Sequence, residues 1–139
     1  MSERIQALLG ALETRILIVD GAMGTMTHEA PLSVETDFEG HENCPEILVA
    51  TRPDLIHGIH RAYLEAGADR IETDTFGGTS IVLTEFKLEE RAYELNYKAA
   101  KIARQAADEL STSAKPRFVA GSMGPTTRDL NVTASSTFS

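Results

Sequence analysis

Ile5, Leu8, Leu9 and Leu12 recur at helical intervals and predict a short amphipathic helix at the start of the chain. Ile16-Leu17-Ile18-Val19 then runs apolar without alternation and stops at Asp20-Gly21. That pattern predicts a strand covered on both faces, as in a parallel sheet. Residues 27 to 46 are polar and turn-rich and predict a long loop, a length that often goes with function. Helical signals return at Thr51-Arg52-Pro53-Asp54, where threonine is placed to cap, proline suits the first turn and Asp54 faces free N–H groups. Leu55, Ile56, Ile59, Tyr63 and Ala66 follow one face of that helix, and Gly67 sits where a left-handed C-cap is expected. A second strand is expected over Arg70 to Thr73. A long helix follows from about Leu88, stepping through Ala92, Leu95, Ala99, Ile102, Ala106 and Leu110. Pro116 ends it, and Phe118 to Gly121 predicts a third strand. The Ser- and Thr-rich tail from Thr126 yields no assignment.

Strands alternating with helices imply parallel pairing through right-handed crossovers, so the class is α/β. Doubly wound sheets and (β/α)8 barrels both begin this way, and three strands make a thin core for either.

Composition narrows the chemistry. Across 139 residues, 13 Lys and Arg stand against 21 Asp and Glu, a formal charge of −8. That balance argues against an electrostatic grip on nucleic acid or on anionic membrane. At 42% apolar, the chain has enough hydrophobic residues for a packed core. No apolar stretch approaches the roughly 18 residues of a membrane span, and the charged N-terminus is unlike a secretory signal. The single cysteine, Cys44, forms no internal disulfide framework, which makes a reducing cytoplasm the expected location.

Each expected strand ends in polar or glycine-rich residues: Asp20-Gly21-Ala22-Met23-Gly24-Thr25, Glu72-Thr73-Asp74-Thr75-Phe76-Gly77-Gly78, and Gly121-Ser122-Met123-Gly124-Pro125-Thr126. Parallel strands bring these ends to one rim, where ligands bind in such folds. In the first, backbone N–H groups suit a carboxylate and Asp20 suits an ammonium or another polar group; the plain alternative is a tight turn that Asp20 braces. Glu72 and Asp74 share one side of a strand, as acid–base or metal chemistry requires. The favoured expectation is duller: one pairs with Arg70 or Arg61 and the other points to solvent. Thr73 points the opposite way, a reasonable ligand contact. His57 with His60, and His41 with Cys44, have metal-like spacing but no third ligand nearby in sequence, so metal binding is not expected of either pair. Neither phosphate-loop nor dinucleotide glycine motif occurs. Asn131-Val132-Thr133 matches a glycosylation triplet that a cytoplasmic chain would leave unmodified.

Three blocks, ILIVDGAMGTM at 16–26, RPDLIHGIHRAYLEAGADRIETDTFGGTS at 52–80 and PRFVAGSMGPTT at 116–127, resemble the homocysteine-binding domain of cobalamin-dependent methionine synthases, within the homocysteine S-methyltransferase family. The resemblance runs from about residue 4 to the end. It implies a (β/α)8 TIM barrel and transfer of a methyl group to the zinc-activated thiolate of homocysteine, giving methionine. It also implies that the backbone N–H groups of Ala22 and Met23, in the turn beginning Asp20-Gly21, hold the substrate carboxylate. Asp20 would then lie beside the amine or thiol, and Thr73 near the substrate. The family usually has Asn where Asp74 stands.

The same resemblance implies what lies elsewhere. The family's zinc cysteines, including a consecutive pair, and a glutamate that holds the substrate amine come from later strands. A complete barrel takes about 250 residues. The expectation is therefore an incomplete barrel of the first three or so βα units, with residues 1–139 as the truncated N-terminal part of the domain. Zinc and methylcobalamin would belong to the full-length enzyme, with none expected on this chain and no catalytic residue assigned to it. The partners implied are homocysteine, the rest of the barrel and the cobalamin and folate modules. Two alternatives remain open: a non-catalytic partial barrel that pairs with a separately encoded remainder, and an unrelated half-barrel that binds a small anionic metabolite.

Overall fold

The computed structural model describes residues 2–128. The glycosylation triplet and the end of the Ser- and Thr-rich tail lie outside them. Helix α1 (Glu3–Thr14) is followed by an extended segment and by α2 (Met23–His28). A loop leads through a 3-10 turn (Pro45–Ile47) into α3 (Leu48–Thr51) and α4 (Pro53–Glu65). Strand β1 (Arg70–Glu72), α5 (Ser80–Leu83), two further 3-10 turns, α6 (Ala92–Leu110) and β2 (Phe118–Ala120) complete the order.

Strands β1 and β2 pair in parallel, with Arg70 opposite Phe118 and Glu72 opposite Ala120. Val19 joins the other side of β1 through a single parallel bridge. The strand expected over residues 16–19 is thus reduced to an extended segment, and it is not covered on both faces. Ile16 is 85% exposed and Ile18 56%. Its backbone is nevertheless anchored, because Ile18 C=O accepts from the N–H groups of Asp69 and Arg70. Among the described residues, no element covers its other side.

Helix α4 keeps the expected start and stop, with one change of partner. Pro53 opens it, but the residue before the first turn is Arg52, and the Thr51 hydroxyl donates to the carbonyls of Asp37 and Ile47. Asp54 is held by Arg52 at 3.1 Å. At the far end Gly67 adopts φ +115°, a region that only glycine enters freely. There the Ala68 N–H reaches Tyr63 C=O and the Gly67 N–H reaches Leu64 C=O, a Schellman closure. The chain turns directly from that closure into β1.

Helices α4 and α6 lie against each other over two apolar clusters. One gathers Ile47, Leu48, Ile56, Leu83, Leu95 and Ala99; the other gathers Leu64, Ile71, Ala103, Ala106 and Ala107 beneath the strands. Alanines on α6 let it approach β1 closely. The expected loop at 27–46 is shortened at both ends, since Thr27 and His28 close α2 and Pro45 begins the 3-10 turn. No residue of α1 is buried, and its Leu9 and Leu12 are largely exposed.

Candidate functional site

Asp20, Gly21, Ala22, Met23 and Thr73 all line one cavity of about 360 Å³ at the C-terminal rim of the strands. Four of them come from the turn entering α2, and Thr73 from the end of β1.

The turn is held from two directions. Asp20 donates its N–H to Arg70 C=O at 2.9 Å, and its Oδ2 accepts from the Glu72 N–H at 3.0 Å. Burial pushes the Asp20 carboxyl above its usual range, against that N–H, which favours the charged form. From the helix side, Tyr63 Oη donates to Ala22 C=O at 3.1 Å. The ring leaves no free room at Gly21, where a Cβ would lie 3.1 Å from Tyr63 Oη. Among the described residues, the N–H groups of Ala22 and Met23 meet no acceptor. They border the cavity as available donors.

Thr73 braces the rim. Its Oγ1 accepts from the Ser122 N–H at 3.1 Å and lies 2.7 Å from Thr75 Oγ1. Thr75 spends its own proton on Ser122 C=O, so Thr73 is the donor of the pair. These bonds lock the ends of β1 and β2 together, and they leave Thr73 a lone pair rather than a proton for any ligand.

The two carboxylates on one side of β1 part company. Glu72 pairs with Arg70 at 3.4 Å, as expected. Asp74 does not point out to solvent but is buried on the cavity wall, 7% exposed. Burial, and then the charge of Glu46, raise it to about 7. Glu46 was not foreseen. It enters from the 3-10 turn, and its Oε1 accepts from the Gly77 N–H at 2.6 Å. A side chain at Gly77 would collide with that oxygen. Tyr63 was also missed, since its helical spacing reads as packing alone.

A profile described as homocysteine S-methyltransferase matches residues 17–138. The chain belongs to the homocysteine S-methyltransferase family. Within the family, it is 47% identical over 121 residues to a methionine synthase of Mycobacterium tuberculosis (strain ATCC 25618 / H37Rv), a match covering 87% of this chain and 10% of that protein. A methionine synthase of Mycobacterium leprae (strain TN) is 46% identical over the same length and coverage. The chain thus spans about a tenth of the length of these curated relatives. Its fold is similar to that of the homocysteine methyltransferase MmuM from Escherichia coli. The oxidized form superposes with a TM-score of 0.69 at 27% identity, covering 85% of this chain and 40% of that one. The metallated form gives 0.67 at 25% identity, covering 87% and 41%.

Zinc held by three thiolates does not fit the described residues of this family member. They contain one cysteine, and burial pushes the Cys44 thiol up to about 11, with the neighbouring Glu46 charge adding to the rise. The histidine pairs do not converge on a metal site either. His57 lies 3.2 Å from Glu109, whereas His60 is buried with neither ring nitrogen bonded. No group of three or more His, Cys, Asp or Glu among the described residues is arranged to hold a metal. No described helix is long and apolar enough to cross a membrane.

Proposed function

We propose that this chain forms the amino-acid-binding part of a methionine synthase, supplying the first three or so βα units of a homocysteine-binding (β/α)8 barrel over residues 1–139. The single observation that carries this reading is the convergence of the Asp20-to-Met23 turn and the Thr73 brace on one cavity. In the proposed complex the N–H groups of Ala22 and Met23 donate to the homocysteine carboxylate. Gly21 lets the backbone run close beneath Tyr63, and Asp20 stands beside the ligand's amine or thiol. Thr73 keeps the strand ends in register and offers its remaining lone pair. The chain's work is therefore to bind and orient the substrate.

Zinc and methylcobalamin are assigned to other parts of the full-length enzyme, because the thiolate set is not among the described residues. On this reading the isolated chain binds homocysteine but does not transfer methyl groups, whereas the full enzyme works in the cytoplasm with the remaining barrel, cobalamin and folate modules. Isothermal titration with L-homocysteine and L-methionine tests it. Saturable binding of both is expected, lost in a variant carrying Ala22→Pro, which removes one of the two donors. Failure of the intact chain to bind either amino acid would defeat the reading.

A second reading is supported by the exposed apolar residues Leu9, Leu12, Ile16 and Ile18. Here the chain is a non-catalytic partial barrel completed by a separately encoded remainder. Co-expression with the later strands of a methionine synthase barrel checks it; a stable complex that needs Ile16 and Ile18 is expected.

A further inference from the structure

Asp74 has a role that bracing the fold does not explain. The residue is 7% exposed, and its Oδ2 is buried with no hydrogen-bond partner among the described residues. It lines the same cavity as Ala22, Met23 and Thr73.

The charged and titratable groups around it are nearly all acidic. Glu46 and Cys44 approach from the 3-10 turn and the loop before it, and Asp20 and Glu72 share the cavity wall. Arg70, the cation on β1, is occupied by Glu72 at 3.4 Å. Glu46 acts as an acceptor at both oxygens, from the Gly77 N–H at 2.6 Å and from the Cys44 thiol at 3.8 Å. A second buried carboxylate beside it, with no cation of its own, is better accommodated protonated than charged. The raised titration of Asp74, to about 7, agrees with that geometry.

A protonated carboxyl carries one O–H donor and seeks an acceptor. Of the groups on a sulfur amino acid, only the carboxylate is anionic throughout the neutral range, since a thiol without a metal keeps its proton there. We propose that Asp74 faces the cavity as a neutral carboxylic acid and donates its O–H to the carboxylate of the bound amino acid, alongside the N–H groups of the Asp20-to-Met23 turn. The inference rests on the amino-acid reading of the cavity. It adds a ligand contact, and it makes binding depend on a proton held by the protein.

Two measurements on the intact chain test it. The first needs no ligand: carbon-13 NMR of the aspartate carboxyls, with the Asp74 signal assigned by comparison with Asp74→Asn. A carboxyl titrating near neutrality is expected, and one fully ionised at about pH 6 would overturn the proposal. The second is calorimetric titration with L-methionine between about pH 6 and pH 8. The Kd of the unaltered chain should weaken about tenfold over that range as the acid ionises. Asp74→Asn, which keeps a neutral donor of the same shape, should bind with no such dependence. So should the unaltered chain with 3-(methylthio)propylamine, which lacks the carboxylate. Binding of L-methionine that does not vary with pH would sink the proposal while leaving the amino-acid reading intact. Absence of L-methionine binding in both proteins at every pH would remove that reading, and this inference with it.

Discussion

Arg15 and Asp69 stand 54 positions apart in sequence and meet at 2.8 Å. The same buried carboxylate accepts the Ile18 N–H at 2.9 Å, so Asp69 clamps the first apolar segment against the start of β1. The clamp fixes the level at which Asp20 meets the Glu72 N–H, and hence where the cavity-lining turn begins. Asp69→Ala removes both bonds and should lower stability by about 2 kcal/mol, read as a shift in the urea midpoint. Arg15 and the Ile18 N–H hold the Asp69 carboxyl below its ordinary range. The stability it contributes is therefore complete above the unfolded value of about 3.9 and is lost as pH falls through the lower folded value. Asp69→Asn should flatten that acid limb.

His60 should shape a different part of the pH profile. Its ring is fully buried with both nitrogens unbonded, and burial lowers it to about 4. A histidine kept neutral in the folded chain adds nothing above its unfolded value of about 6.5, but below it the unfolded chain takes up the proton first, and stability falls as pH drops toward the folded value. The loss amounts to about 3 kcal/mol between neutrality and the folded value. His60→Leu should be as stable as the parent at neutral pH or more so, since it removes two unsatisfied polar atoms. Chemical denaturation at several pH values checks both statements: the Leu variant should lose the slope between about pH 6.5 and pH 4.

Gly124 should be sensitive to alanine and Gly121 indifferent to it. A Cβ at Gly124 would lie 2.6 Å from the Phe76 carbonyl oxygen and 2.7 Å from its ring, whereas nothing lies within 4 Å at Gly121. The close approach serves the bond from the Gly124 N–H to Phe76 C=O at 2.9 Å. Gly124→Ala should cost about 1–3 kcal/mol and displace Phe76 from the cavity wall, weakening amino-acid binding. Gly121→Ala should leave the thermal midpoint and the binding curve where they are.

Helices α1, α4 and α6 were legible because their signals are local. The spacing of Leu95, Ala99, Ile102 and Ala106 selects a face of α6 whatever packs on it, and Gly67 marks its own turn. The extended segment at 16–19 fails that test, because its burial depends on neighbours rather than on its own pattern. Thr51 was misread for a related reason: the Asp37 carbonyl, 14 positions away, takes the hydroxyl that local rules give to the helix start. The short α5 carries a usable signal that went unread, with Thr79 Oγ1 accepting the Val82 N–H as a cap. At the cavity, glycines and polar strand ends marked the rim, whereas Glu46 and Tyr63 act across 31 and 41 positions and leave no local trace.

Tyr63 separates support of the site from support of the fold. Its ring packs over Gly21 and its hydroxyl holds Ala22 C=O, but the ring atoms make the packing and survive in phenylalanine. Tyr63→Phe should therefore change the thermal midpoint little, since the lost bond lies at a partly exposed position and contributes about 0.5–1 kcal/mol at most. The Ala22–Met23 peptide would be less firmly held, and the Met23 N–H that it carries less well aimed at a ligand carboxylate. Homocysteine affinity should fall by about threefold to tenfold, as expected when a group is no longer preorganised. Tyr63→Ala removes the packing as well and should lower both stability and affinity. Calorimetric titration beside thermal unfolding for the two variants decides the matter. Equal proportional losses of stability and affinity in Tyr63→Phe would mean that the hydroxyl serves the fold and not the site.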